Sequence, residues 1–187
     1  MTVARAKQIA IQQNNSAVSL IAAGDYDAAI NALSPSALKT YKQIIEEADE
    51  HPQRVKTSLD QCMTQSPATQ GKASSNEDES DQYIYRQAIH IPLEHIVEQT
   101  YQESAIACSS AIIFNLALAH HLSALVSAKH LSNKLHKAAT LYQLAGNLQR
   151  DNAQLENNNV LFTMAAMNNL GVIYHLLEDH ETATKFF

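Results

Sequence analysis

The chain has 187 residues, of which 45% are apolar and only 17% charged, with a formal net charge of −6. That length allows one domain with a real core or a short repeat array, and the charge leaves no basic patch able to track a phosphate backbone, so nucleic acid is not an expected partner. Uncharged amides replace the missing charges, with 13 Asn and 15 Gln, while four Gly and no Trp leave little β-turn punctuation.

Apolar residues at Ile9, Val18, Leu20 and Ile21 among alanines predict a first helix from about Val3 to Ala23. Gly24 stops it and Asp25 caps the next, which carries Ala28, Ala29, Ile30 and Leu33. Ser34-Pro35 reads as an N-cap followed by Pro at the first helical position, restarting a helix to about Asp49. Residues 52–82 then turn polar and acidic, with Pro52, Pro67 and Gly71, and read as a long linker. Within it Ser74 and Ser75 precede Glu77, Asp78, Glu79 and Asp81, a pattern that fits an acidophilic kinase site or a solvated acidic loop.

The stretch "YIYRQAIHIP", residues 83–92, places Tyr83, Tyr85, Ile89 and Ile91 on one parity and predicts an extended, strand-like segment ended by Pro92. A lone strand cannot satisfy its own backbone groups. The expectation is therefore that it docks on a helical surface of its own chain and covers an apolar groove. Helical patterns resume over about Tyr101–Lys129, Ser132–Gln149 and Asn158–Leu177, and a last helix starts near His180.

No stretch approaches the ~18 uninterrupted apolar residues of a membrane span. "MTVARAKQIAIQQNN" lacks the apolar run and cleavage site of a signal peptide. Cys62 lies in the polar linker and Cys108 in an apolar helical run, so neither a disulfide framework nor a thiol enzyme is indicated. A cytoplasmic or nuclear location is expected, without a membrane partner.

The final stretch, "MNNLGVIYHLLEDHETATKFF", carries a more specific pattern. Met167, Leu170, Gly171, Tyr174, Ala183 and Phe187 follow the spacing Trp-x2-Leu-Gly-x2-Tyr, then Ala-x3-Phe, with Met in place of Trp. Ile113, Leu116 and Ala117 fit it again, with His120 where Tyr is usual and Ala138 and Tyr142 in the second helix. Gly24, Asp25, Tyr26, Asp27, Ala29 and Ile30 match its Gly-Asp-Tyr-Asp-x-Ala-Ile turn, although Gln13 and Ser16 replace Trp and Leu. The sequence thus resembles the tetratricopeptide-repeat (TPR) superfamily over roughly residues 8–50 and 104–187. More narrowly, "FNLALAHHLSAL" with "NNLGVIY" is similar to TPR-like proteins of diatoms, which implies no activity. One departure stands out: Asn115 and Asn169, at equivalent places, lie 54 residues apart, where the family's period is about 34.

The resemblance implies an all-α, TPR-like array of antiparallel helix pairs in a right-handed superhelix, with one long linker and a short extended segment. Its parts would be first helices at 1–51, a flexible linker at 52–82, the extended segment at 83–92, and repeats at 93–187 with the last truncated. Leu170 and Gly171 would press on Ala183. Phe186 and Phe187 would lie at an unsealed end beside Val172 and Leu176, so either the chain continues, or this end buries itself against another copy or a partner, or both rings fold back.

In that family the first helix of each pair lines a groove for a partner peptide. Asn15, Asn115 and Asn169 stand at one place in successive first helices, and an amide both donates to and accepts from a peptide backbone. Val18, Leu118 and Val172, then His121 and His175, would face the same groove. The alternative is that the asparagines only solvate a polar face. The family's carboxylate clamp of Lys and Arg is not expected, because Ile11, Asn14, Ala165 and Asn169 hold those places.

Nine histidines invite a metal reading, but His120 and His121 point about 100° apart on a helix and the others are scattered, so no metal site is expected. No phosphate loop, nucleophile motif or carboxylate pair occurs, so neither catalytic residues nor a cofactor are expected. The function implied is a protein-interaction or scaffold module binding an extended peptide or partner protein. The alternatives are a self-assembling structural array, for instance a homo-oligomer through its C-terminal end, and an enzyme with an unrecognised site.

Overall fold

The computed structural model describes residues 3–35, 39, 84–92, 101–127, 130–151 and 159–187, and every regular element among them is helical. The fold is all-α. Helix α1 is Val3–Ala23, α2 covers 26–35, α3 is Tyr101–Val126, α4 is Leu131–Asp151, α5 is Val160–Leu176 and α6 is the single turn His180–Ala183. The helix expected to reach Asp49, the 52–82 linker with Cys62, Ser74 and Ser75, and Tyr83 of the extended stretch all lie outside the described residues.

Gly24 ends α1 at φ +81°, where a side chain would be strained. The Gly24 N–H donates to the Ile21 carbonyl (3.0 Å) and the Asp25 N–H to that of Leu20 (2.9 Å), a Schellman closure. The Asp25 carboxylate then accepts the Ala28 N–H at 3.2 Å and caps α2. The same device recurs after α5 with Glu178 at φ 61°: Asp179 N–H reaches the Tyr174 carbonyl (2.9 Å), and its carboxylate accepts the Thr182 N–H (3.0 Å). The expected restart at Ser34 does not occur. The Ser34 hydroxyl donates back to the Ile30 carbonyl at 2.7 Å, four residues earlier, and α2 runs on through Pro35.

Helix α3 is the centre of the molecule. Its side chains from Ala107 to Ala124 are all buried, as an all-round apolar helix requires. Ile106–Val126 is long and apolar enough to cross a membrane by composition, yet 89% of it is buried inside the fold. Cys108, 5% exposed, is part of this packing. Helix α4 folds back along α3, since Lys134 Nζ donates to Ser123 Oγ (2.8 Å) near one end and Gln149 Nε2 to Ser110 Oγ (2.9 Å) near the other. Helix α5 returns along α4, with Gln143 bonded to Tyr174 and Asn169 to Tyr142.

The chain's last residues fold back on α5. Phe186 stacks on Tyr174, with centroids 5.6 Å apart and planes 4° from parallel. A Cβ on Gly171 would lie 2.6 Å from the Phe187 ring, so the small residue seats that ring, and its closest approach is not to Ala183. Phe187 is still 74% exposed and its ring can swing away. We therefore expect Gly171→Ala to gain about 1 kcal/mol from helix propensity when Phe187 is also Ala, and visibly less when Phe187 is present. A urea double-mutant cycle reads the difference; strict additivity would mean the ring does not rest there.

Candidate functional site: an asparagine-lined groove

Residues 84–92 form neither helix nor turn and belong to no strand pair, so their backbone groups need partners from elsewhere. Asparagine side chains supply them. The Tyr85 N–H donates to Asn169 Oδ1 at 2.7 Å, and Asn169 Nδ2 donates to the Tyr85 carbonyl at 3.0 Å. The Ile89 N–H donates to Asn115 Oδ1 and Asn115 Nδ2 to the Ile89 carbonyl, both at 2.8 Å. The Ile91 N–H donates to Asn15 Oδ1 (2.9 Å), and Asn15 Nδ2 to the Ile91 carbonyl (2.8 Å).

Each amide thus does what a neighbouring antiparallel strand does for one residue of a hydrogen-bonded pair, taking the N–H and giving to the C=O. The three amides come from α5, α3 and α1 in that order along the segment, so the segment runs against the order of the helices. At ~3.3 Å per residue, the step from Tyr85 to Ile89 spans roughly twice that from Ile89 to Ile91. The α1 and α3 clamps are close enough to share a residue. Asn14 Nδ2 also donates to the Ile89 carbonyl (2.9 Å), while Asn14 Oδ1 accepts from Asn115 Nδ2 (2.8 Å). Asn169 likewise gives its second N–H to the Tyr142 hydroxyl at 2.9 Å.

Beneath the segment lies an aromatic floor. Phe114 makes edge-on contacts with Tyr85 (6.3 Å) and Tyr142 (5.2 Å) and a tilted one with Phe162 (5.4 Å), geometries that favour the ring quadrupoles. Ala88 and Ile89 are fully buried, Ile91 and Ile84 nearly so, and Pro92 is buried as well. Burial therefore does not follow one parity, as the alternating pattern suggested. Even-numbered Ile84 and Ala88 are covered along with Ile89 and Ile91, while Tyr85 is half-buried.

Of the residues singled out from sequence, Asn15, Asn115 and Asn169 converge on the segment. Val18 and Leu118 share a core cluster with Ala88, Ile89 and Ile91, whereas Val172 is buried outside that cluster. His121 is fully buried, its ring 6.2 Å from that of Tyr142. His175 is exposed, with Nδ1 3.2 Å from Nδ1 of His180, and takes no part in the clamp hydrogen bonds. Sequence reasoning missed Asn14 and Tyr142 as members of the site. Asn14 was legible in the doubled Asn14-Asn15, but Tyr142 reads from sequence only as a packing residue.

Two buried rings stand out electrostatically. Burial lowers the pKa of His121 from its ordinary 6.5 to about 3, and Arg86 of the segment adds to the effect. Burial, then Lys137 and Lys134, lower that of His120 to about 4 against the opposing pull of Asp27. Neither ring nitrogen of either residue has a hydrogen-bond partner in the protein. Burial also pushes the Tyr142 hydroxyl up, partly countered by its bond to Asn169, so it stays a neutral phenol. The site can therefore hold backbone by hydrogen bonding and side chains by apolar packing. Among the described residues no three His, Cys, Asp or Glu converge as a metal set.

No protein-family model matches the chain, and neither does a curated protein or a solved structure.

Proposed function

We propose that the chain is a TPR-like helical array whose groove holds an extended peptide, and that its own residues 84–92 occupy the groove as a built-in ligand. One observation carries this reading: asparagines from α1, α3 and α5 each make the same two-bond contact with a single residue of one extended segment. Solvation of a polar face is a poorer account, because Asn14, Asn115 and Asn169 are fully buried. Such contacts are made to backbone, so another peptide of suitable side chains can replace the segment. A second reading, favoured by the complete burial of Ala88 and Ile89 within the main core, is that the segment is a permanent structural strap.

A labelled peptide of residues 83–92 separates the two. The receptor is the full chain carrying Ile89→Ser and Ile91→Ser, which weakens the resident segment. We expect saturable binding by fluorescence anisotropy, lost when Asn115→Ala is added to the receptor. Should the receptor be partly unfolded alone, bound peptide should restore its helical circular dichroism and raise its Tm, as any ligand selective for the folded state does. Neither binding nor rescue would leave only the strap.

A further inference from the structure

Resting on the peptide-groove reading, we infer that the groove selects extended peptides with a small residue followed directly by an aliphatic one, a second aliphatic two residues on, and then proline: the pattern Ala88-Ile89-x-Ile91-Pro92. The backbone clamps are indifferent to side chains except that they exclude proline, because Asn169, Asn115 and Asn15 each need an N–H, from Tyr85, Ile89 and Ile91. Selectivity must therefore come from the side chains that the groove encloses.

Ala88 has no exposed surface, and it stands next to the residue held most tightly. Ile89 accepts at its carbonyl from both Asn115 and Asn14, which leaves its backbone no room to shift. A longer side chain at position 88 would have to displace the core packed around it, whereas glycine would leave only a small gap. Ile89 and Ile91, at 0% and 4% exposure, accept branched aliphatic groups and would strand a charge without water or partner. Pro92 needs no donor, and a residue before proline is biased to the extended region. It therefore sets Ile91 in the conformation that the Asn15 amide reads.

The test uses the weakened receptor above and synthetic 83–92 peptides. Ala88→Leu should weaken binding about tenfold or more, since overpacking a filled site is costly, while Ala88→Gly should stay within about threefold. Ile89→Asp should abolish binding and Ile89→Val should not. Methylating the Ile89 backbone nitrogen, which keeps the side chain and removes the N–H, should cost about tenfold or more. If the parent peptide binds while the Ala88→Leu and Ile89→Asp peptides bind equally well, the selectivity is wrong and the groove reading stands. If the parent peptide neither binds nor rescues folding, both are overturned.

Discussion

Replacing Asn115 or Asn169 by Ala should destabilise the protein by roughly 3 kcal/mol each, well beyond the ~1 kcal/mol of an ordinary point change. The large figure follows from what each amide leaves behind. Without Asn115, the Ile89 N–H and Asn14 Oδ1 lose their partners in a site with no exposed surface at Ile89, Asn14 or Asn115. The Ile89 carbonyl is spared because Asn14 still donates to it. Without Asn169, the Tyr85 N–H and carbonyl lose the two bonds that its amide makes to them, and the buried Tyr142 hydroxyl loses its bond as well. A buried polar group without a partner costs about 1–3 kcal/mol, while a satisfied bond contributes only ~1 kcal/mol net. Asn15 is half-buried, so water can replace its amide and Asn15→Ala should cost only ~1 kcal/mol. Exposed Asn31 on α2 is the control: Asn31→Ala should be neutral or slightly stabilising through helix propensity. Urea unfolding of the four variants gives the ranking. An Asn115→Ala protein as stable as the Asn31→Ala control would mean that the clamp contributes nothing to holding the segment.

The helices were legible because their signals are local. Apolar spacing and Gly24 place α1 at Val3–Ala23 without any tertiary information, and the polar–apolar alternation marks residues 83–92 as extended. The row of Asn15, Asn115 and Asn169 and that extended segment could both be read, but not their contact. Nothing in an asparagine's position says which N–H it will meet, and these partners lie far apart along the chain. The segment's burial on both sides was illegible for the same reason. Alternation predicts one covered face, which holds for a strand on a sheet surface but not for a segment buried at both parities, as Ile84, Ala88, Ile89 and Ile91 are. Ser34 shows the opposite failure, a strong local cap signal that lost because the hydroxyl found the Ile30 carbonyl inside a helix already under way. His120 was legible as a core residue from its place in the pattern, whereas His121, expected to face the groove, is fully buried beside Tyr142, and the neutrality of both depends on neighbours that the sequence does not reveal.

That neutrality predicts steep acid sensitivity. In the unfolded chain an imidazole takes up a proton near its ordinary 6.5, whereas folded His121 refuses one until about pH 3. Between those values the unfolded state binds more protons than the folded state, so stability must fall as the pH falls. For His121 alone the slope approaches 1.4 kcal/mol per pH unit below about pH 6. His120, with its pKa lowered to about 4, acts in the same direction down to that pH. Above about pH 7 neither contributes a slope, because both are neutral in both states. Lowering the pH from 7 to 5 thus removes a sizeable part of the ~5–15 kcal/mol that holds a typical domain. The effect also bears on the groove. A proton forced onto His121 would lie close enough to feel Arg86 of the docked segment, and beside Tyr142, which supports the Asn169 clamp. Urea midpoints at pH 7.5, 6, 5 and 4.5 should drop steadily, and His121→Phe, which keeps a ring against Tyr142, should flatten much of that slope. If wild type and His121→Phe lose stability in parallel between pH 6 and 5, acid acts elsewhere, and the buried imidazole is not the group that senses it.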